Sequence, residues 1–428
     1  MARLRSLSLI FSFALLLRAG FLYDYLMHHA PRALSTIPFL FEPGNIAVAL
    51  ATGHGFANPF RVETGPTAWM TPIYPLILAG ILKLFGPYTI QAFLAAASLN
   101  VLFSALTCLP LYAAARRMFG TGVAAGATWL WAIFPNAILL PYESLFDASL
   151  SALLATTLLW LTLVVSESPT IRNWAAYGTV WGLALMTNAS LIALLPFLYG
   201  WAEYKAHATP GFTFKRPALA AALALLCCAP WTIRNYLVFH EFVPLRSVAG
   251  LALWLGNNDQ ALTLTPGRLH PITSQTERDR YVELGEMDYM REKQSLALDY
   301  LLSHPAQEFR MIADRFTAIW TGGTAQPIAD FARAKNLRFF LVVGFNLAAA
   351  LAAVIALFFL YRRRDPYLIP LAAFPVVFPL VYYLALAPPR YRHPIDPVIL
   401  LLAAVALAGP KLAGPQKEKP QPTAKGLL

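Results

Sequence analysis

The sequence predicts an all-helical protein that crosses a membrane about ten times. Three observations lead there. The chain of 428 residues is 58% hydrophobic and only 13% charged, with a mean hydropathy of +0.54, whereas a soluble domain is closer to half apolar and a quarter charged. Apolar runs recur along it, many of them near the roughly 20 residues that a helix needs to cross hydrocarbon. Lys and Arg gather in short segments between runs, as they do in cytoplasmic loops. Open sheets are excluded from lipid-exposed positions because their backbone groups would be unpaired there. The net charge of +11 is what such loops and a Lys-rich tail produce, and it does not imply nucleic acid. Cys108, Cys227 and Cys228 all lie in apolar runs, with no disulfide framework and no Cys/His zinc spacing.

The apolar runs lie at 6–26, 90–114, 121–141, 145–165, 174–203, 217–233, 338–361, 366–386 and 394–409. Arg3 and Arg5 place the N-terminus inside, and the first run reads as an uncleaved helix, since no small-residue cleavage site precedes Arg18. Residues 27–89 then form a long external loop, and loops of that length tend to be functional. Within it, 45–52 reads as a short helix ended by Gly53. The aromatic turn 65–75 leads into 72–85, which is expected to lie in the outer interface. Counting 72–85 as a span would put Arg116-Arg117 outside.

The second run returns to Arg116-Arg117, the third exits to Pro141-Tyr142-Glu143, and the fourth returns to the loop holding Arg172. Because Lys205, Lys215 and Arg216 again mark the inside, 174–203 crosses an even number of times. It reads as two short helices meeting near Asn188-Ala189-Ser190. The run 217–233 exits, completing an N-terminal membrane module, 1–233. An external helical region, 234–337, follows. Its part 277–320 reads as an amphipathic helix pair joined at His304-Pro305, with apolar positions at Leu298, Leu301, Leu302, Phe309, Ile312 and Phe316. Segment 338–410 holds the C-terminal membrane helices on either side of Arg362-Arg363-Arg364, the strongest inside mark. The tail 411–428 reads as disordered and cytoplasmic, so both termini are expected in the cytoplasm.

Ionisable residues gather at the outer ends of these helices. Glu42, before a Pro-Gly turn in an apolar stretch, is the leading candidate for a general base that deprotonates an acceptor hydroxyl. Asp24 and Glu63 are lesser ones. Glu143 and Asp147, at i and i+4, share one face if the helix has already begun there. Both fit an ordinary N-terminal acid favoured by the helix dipole, and Asp147 equally fits a functional group held at the hydrocarbon edge. Arg234, Arg246, Arg390 and Arg392 stand outside, against the inside bias of positive charge. The planar fork of arginine suits phosphate. Snorkelling to lipid headgroups is the alternative for each one singly, but several in loops able to converge favour an anion site. Asn235, Tyr391 and Asn257 lie beside them, and with Glu143 they are candidates for supporting the site or the acceptor. His54, His240, His270 and His304 match no metal spacing and read as surface or packing residues. The chain has no Gly-rich phosphate loop, dinucleotide fingerprint or Gly-x-Ser-x-Gly elbow.

Taken in order, these pieces carry a resemblance. An acid in a long first loop precedes GHGFANPF and GPTAWMTPIYPLILAGILKLFG. ARRMFG and YESLFDASL come next, then PWTIRNY, PLRS and LGNN, and PPRYRHPIDP before the last run. The sequence resembles the lipid-linked-sugar glycosyltransferases of the GT-C membrane fold over roughly residues 1–410. It is most similar to the family-39-like branch of protein O-mannosyltransferases and lipid A aminoarabinose transferase. The resemblance implies an inverting transfer from a polyprenyl-phosphate sugar to a lipid, glycan or protein acceptor. It implies an active site on the periplasmic side of a bacterial inner membrane, among membrane lipids. It makes Glu42 the base, Asp147 its supporting acid, and Arg234, Arg246, Arg390 and Arg392 the holders of the donor phosphate. No cofactor is implied with certainty, and a divalent cation at the phosphate stays open. Two departures stand out. Many relatives carry Asp or an Asp-Glu pair where this chain has Glu42 alone. The acid-Lys pair of the aminoarabinose branch is missing at Ala68-Trp69-Met70, so that branch's metal site is not carried over. The rival reading is a transporter or flippase for a lipid-linked sugar. Such proteins often show internal repeats and charges in broken mid-membrane helices, and neither is evident here.

Overall fold

The computed structural model describes residues 2–28, 41–261, 269–324, 330 and 336–409. Among the described residues there is no strand, and one isolated antiparallel bridge joins Ala57 to Pro66. The expected tail 411–428 and residues 29–40 of the first loop lie outside the described residues. Among the described residues five helices are long and apolar enough to cross a membrane: Ser6–His28, Ile90–Ile133, Ala148–Glu167, Lys215–Phe239 and Leu337–Arg362. Three shorter apolar helices, Ile73–Phe85, Leu368–Leu384 and His393–Ala408, accompany them.

Helix α1 (Ala2–His28) enters the bundle. In the first loop, α2 (Glu42–Ala51) starts at Glu42 with Pro43 in its first turn. A proline there costs nothing, because its missing N–H would be unpaired in any case. Gly53, at φ +89, follows the helix where the sequence places its stop. Helix α3 (Ile73–Phe85) forms where an interfacial helix is expected. Its 13 residues reach about 20 Å, short of the roughly 30 Å of hydrocarbon. It buries Tyr74, Leu78 and Leu82 on one face, against α2 and α4 (Ile90–Leu106).

Helix α4 runs on into α5 (Cys108–Ile133), and the joined helix has 44 residues. Straight, it would measure about 66 Å. Gly120 breaks it with φ +84 and ψ −179, a conformation open to glycine. The chain folds back there, so that Trp131 Nε1 donates to the Ser104 carbonyl at 2.8 Å. The reversal sits just past Arg116-Arg117, where the charge pattern puts a turn. Pro135 then ends α5 and opens α6 (Pro135–Glu143). Proline supplies no N–H to the preceding turn. Arg18, fully buried in α1, fills that gap by donating to the Trp131 and Ala132 carbonyls at 2.9 and 3.0 Å, to Ala137 O and to Ser104 Oγ. In hydrocarbon each unpaired carbonyl would cost several kcal/mol.

Helix α7 (Ala148–Glu167) crosses the bundle beside α8 (Ile171–Thr187). The expected split of 174–203 falls at Asn188, whose side chain accepts the Ser190 N–H at 3.0 Å. A 3-10 turn, Ala189–Leu194, and α9 (Leu195–His207) follow. Helix α10 (Lys215–Phe239) packs closely on α8 through small residues. After it come α11 (Ala249–Gly256), α12 (Gln275–Leu284), α13 (Glu286–Ser303) and α14 (Pro305–Thr321). The last two meet at His304-Pro305 as the sequence indicates.

The α13–α14 apolar face does not turn inward, however. Leu298, Leu302, Phe309 and Phe316 are exposed, while Lys293, Glu308 and Arg315 are buried with hydrogen-bonded partners. Beside a membrane the apolar stripe can face lipid, and the paired polar side chains can then form the protein contact.

Helix α15 (Leu337–Arg362) is unbroken. The run 366–386 is divided into α16 (Leu368–Val376) and α17 (Leu380–Leu384), with Pro379 between them. Helix α18 (Asp396–Ala408) is buried from Asp396 to Val405, against α5, α7, α15 and α16. A helix apolar on every side belongs in the centre.

The bundle has two distinct ends. At one, Arg117 beside the Gly120 reversal pairs with Glu167, the last residue of α7, at 2.5 Å. At the other lie the start of α7, the first loop and the turn that carries Arg390.

Candidate active site

The first loop, the N-terminus of α7, the turn before α12 and the turn before α18 converge at this second end. Glu42 opens α2, where the helix dipole favours an anion. Its side chain is 10% exposed, and Oε1 lies 3.1 Å from His270 Nε2. Burial acts to raise its carboxyl. The His270 hydrogen bond and charge, its own backbone N–H and the charge of Arg390 outweigh burial, and Glu42 is held below the ordinary carboxylate value.

Asp147 occupies the N-cap position of α7, and its Oδ2 accepts the Ser151 hydroxyl at 2.8 Å. The guanidinium charges of Arg246 and Arg390 both act on it. The charge of Arg390 thus acts on both acids. Arg390 sits in a 3-10 turn, Pro389–Tyr391, with its guanidinium 4.1 Å from the centre of the Phe146 ring. Its buried Nε has no hydrogen-bond partner. A buried donor without a partner is costly unless something else binds it. Arg246 is exposed and touches Ser190 Oγ at 3.3 Å. Tyr391 stacks on Tyr382, centroids 4.7 Å apart, and the Tyr382 hydroxyl bonds to Ser190 and feels Arg246 and Asp147. Glu42, Asp147, Arg246, Arg390 and Tyr391 are therefore brought together.

The other expected residues have partners elsewhere. Arg392 is 3% exposed. It donates to Asp396 Oδ1 at 2.6 Å, to Asn346, and to the Ile319 and Trp320 carbonyls at 3.2 Å each. Its neighbour His393 stacks on Trp131. Arg234 donates to the Thr67 and Phe56 carbonyls at 2.7 and 2.8 Å, tying the end of α10 to the first loop. Asn235, fully buried, accepts from Arg234 and donates to Val243 O at 2.9 Å. Asn257, also fully buried, bridges Leu253 O, Leu384 O and Arg315. Glu143 pairs with Arg338 at 2.6 Å and links α6 to α15. Glu63 is exposed, and Asp24 pairs with His28 at an exposed position. Among the described residues no three His, Cys, Asp or Glu side chains converge to hold a metal. Glu42 and His270 are a pair without a third such ligand.

His270, set aside in the sequence as a surface or packing residue, stands beside the site against Glu42, and Tyr382 and Ser190, which sequence reasoning did not single out for it, stand there too. Sequence reasoning also missed Glu286, which braces the site. This buried carboxylate accepts from the Ala68 N–H at 2.7 Å, Ser247 Oγ at 2.6 Å, the Tyr281 hydroxyl at 2.5 Å and the Thr67 hydroxyl. It thereby fastens α12 and α13 to the first loop. Nothing in an isolated His or Glu signals such a partner. A Tyr pair inside an apolar run, Tyr382-Tyr383, was a visible but unused hint.

Residues 69–233 match the family model described as dolichyl-phosphate-mannose-protein mannosyltransferase. No curated protein matches the sequence. Among solved structures, the chain aligns with the Archaeoglobus fulgidus oligosaccharyltransferase AglB in complex with an inhibitory peptide and a dolichol-phosphate. The TM-score is 0.55 at 16% identity, over 95% of this chain and 50% of that one. The same enzyme in complex with Zn and sulfate aligns at TM-score 0.53 and 13% identity, over 93% and 48%. ArnT from Cupriavidus metallidurans bound to undecaprenyl phosphate is a weaker likeness, at TM-score 0.43 and 14% identity over 91% and 60%. The chain spans about half the length of the oligosaccharyltransferase structures.

Proposed function

We propose that this chain, a helical membrane protein of the GT-C glycosyltransferase fold whose residues 69–233 match the mannosyltransferase family, transfers a sugar from a polyprenyl-phosphate donor to an acceptor hydroxyl. The observation that carries the reading is Arg390: a cation stacked on Phe146, with an unpartnered buried Nε, acting on both Glu42 and Asp147. The dolichol-phosphate held by the AglB structure supports a polyprenyl phosphate as the matching ligand.

Glu42, ionised, takes the proton of the acceptor hydroxyl. The oxygen attacks the anomeric carbon from the face opposite the phosphate. The bond from that carbon to the phosphate oxygen breaks, and the phosphate departs with the electron pair, so the configuration inverts. Arg390, seconded by Arg246, meets the charge that grows on the leaving phosphate. Asp147, held by Ser151, orients the acceptor or balances the two arginines. Arg234 and Arg392 act at one remove, by holding the loops that present these groups.

Positive charge favours the cytoplasmic side, and Arg116-Arg117 lies at the opposite end of the bundle from Asp147. This supports an active site on the periplasmic face of a bacterial inner membrane with both termini in the cytoplasm. The acceptor is a lipid, glycan or protein hydroxyl.

The test is binding of polyprenyl phosphate, the part common to every such donor, to the detergent-solubilised protein. Wild type is expected to bind it, and Arg390→Ala to bind at least about tenfold more weakly, the loss of one charge-assisted contact. No binding by wild type, or equal binding by the variant, would overturn the donor site. Translocation of the lipid between vesicle leaflets without sugar transfer would favour a flippase instead.

A further inference from the structure

Glu42 does not stand alone, and the residue that holds it is specified by geometry. His270 comes from the turn before α12, far along the chain, and its Nε2 meets Glu42 Oε1 at 3.1 Å. The opposite ring nitrogen is occupied as well, since Nδ1 accepts the backbone N–H of Ile272 at 3.1 Å. An acceptor Nδ1 carries no proton, so the ring proton resides on Nε2 and points at the carboxylate. A doubly protonated ring would set N–H against N–H at Ile272.

The turn itself is braced. The His270 carbonyl accepts the Thr273 and Ser274 N–H groups at 3.0 and 2.9 Å, and Arg278 donates to the Pro271 carbonyl at 2.8 Å. The ring is also walled. Trp69 and Phe60, both from the first loop, meet it edge to face at 5.6 and 6.3 Å. The side chains of His270 and Glu42 are 15% and 10% exposed. The titratable and charged groups facing Glu42 are the His270 ring and the Arg390 guanidinium, from two different turns. Arg278, behind His270, spends its guanidinium on the turn's carbonyls and on Gln275.

We propose that His270 is the positioning residue of Glu42: a neutral Nε2–H donor that fixes one carboxylate oxygen and turns the other toward the acceptor hydroxyl. The proposal rests on Glu42 being the base. His270 takes no proton from the acceptor. That proton goes to Glu42, while the imidazole stays in one tautomer throughout. A donor also keeps Glu42 ionised, where a second acid would compete for its proton. Of the two effects of His270 on Glu42, the hydrogen bond is the larger, and a neutral ring retains it.

The test has two arms. In the first, wild type labelled with 15N-histidine is examined by solid-state NMR, and the His270 signals are assigned by their loss in His270→Gln. One protonated Nε2 and one unprotonated Nδ1 at neutral pH are expected, with Nε2 shifted in Glu42→Gln. A ring protonated on both nitrogens, or on Nδ1 alone, would overturn the proposal without touching the role of Glu42. In the second arm, turnover is measured across a panel of polyprenyl-phosphate sugars. His270→Gln keeps an N–H near the Nε2 position and is expected to retain most of kcat. His270→Leu removes the donor and is expected to lose about 10²-fold in kcat at unchanged donor KM, the scale of a misplaced reacting group. Its acid limb is expected to move up in pH. Full turnover in His270→Leu alongside an inactive Glu42→Gln would reject His270 and leave the base standing. Full turnover in Glu42→Gln would reject the base itself.

Discussion

A lone acid in an apolar loop is conspicuous, and Glu42 was legible for that reason. Its state was not, because His270 and Arg390 reach it only through the fold. Its carboxyl is held below the ordinary value, which fixes the sign of a pH effect. Glu42 stays ionised across the neutral range. The stability it contributes is complete above the unfolded carboxylate value and is lost as pH falls through the lower folded one. The proposed base is lost at the same step. In a kcat/KM profile the acid limb assigned to Glu42 is therefore expected below the usual carboxylate range, and Arg390→Gln is expected to move it up. An acid limb that ignores Arg390 would contradict the charge coupling.

The arginines teach the converse lesson at the same scale. A sequence shows where charge lies but not what neutralises it, so Arg390 and Arg392 read alike two positions apart. One has an unpartnered Nε, and the other is surrounded by Asp396, Asn346 and two carbonyls. Arg392→Ala would leave the buried Asp396, whose side chain is 1% exposed, with His393 at 3.3 Å as its remaining side-chain partner, at a cost of roughly 3–5 kcal/mol. Thermal unfolding in detergent is expected to fall sharply for Arg392→Ala and little for Arg390→Ala. The reverse order would exchange their roles.

Among the elements, the breaks were easier to read than the faces. Gly53 marks a helix end, Asn188 divides the 174–203 run, and the Arg116-Arg117 charge announces the reversal that Gly120 executes, because each position rests on local backbone chemistry. The outward apolar stripe of α13 and α14 was not legible. Helical spacing tells which residues share a face, but not whether protein or lipid will cover it. The contact of α8 with α10 likewise depends on absent side-chain volume. A Cβ on Gly178 would stand 2.1 Å from the Ala220 carbonyl oxygen, and one on Gly182 would stand 2.4 Å from the Cys227 Cβ. Small residues let membrane helices approach this closely. Gly178→Ala is expected to destabilise by roughly 1–3 kcal/mol through overpacking. Gly80→Ala, on α3 where a Cβ meets nothing within 4 Å, is expected to be neutral or stabilising. Equal unfolding temperatures for the two variants would contradict the tight α8–α10 contact.

For the whole molecule, hydropathy and charge sufficed for the class of fold, since the bilayer allows few backbone solutions. They did not give the lengths of the spans. Gly120, Pro135, Asn188 and Pro379 cut or bend the runs, and buried polar side chains such as Arg18 repair at least one of these interruptions. What the bundle achieves is to set one end of α7, a braced first loop and two turns around a pair of acids and a pair of arginines. The central claim is that these groups divide the work, with Glu42 removing the proton and Arg390 holding the phosphate. The most direct measurement is sugar transfer from polyprenyl-phosphate donors by Glu42→Gln, read beside polyprenyl-phosphate binding by the same variant. Binding close to that of wild type with turnover lower by about 10²–10⁴-fold, the usual worth of a general base, is the expected result. Turnover equal to wild type, or binding lost together with turnover, would contradict it.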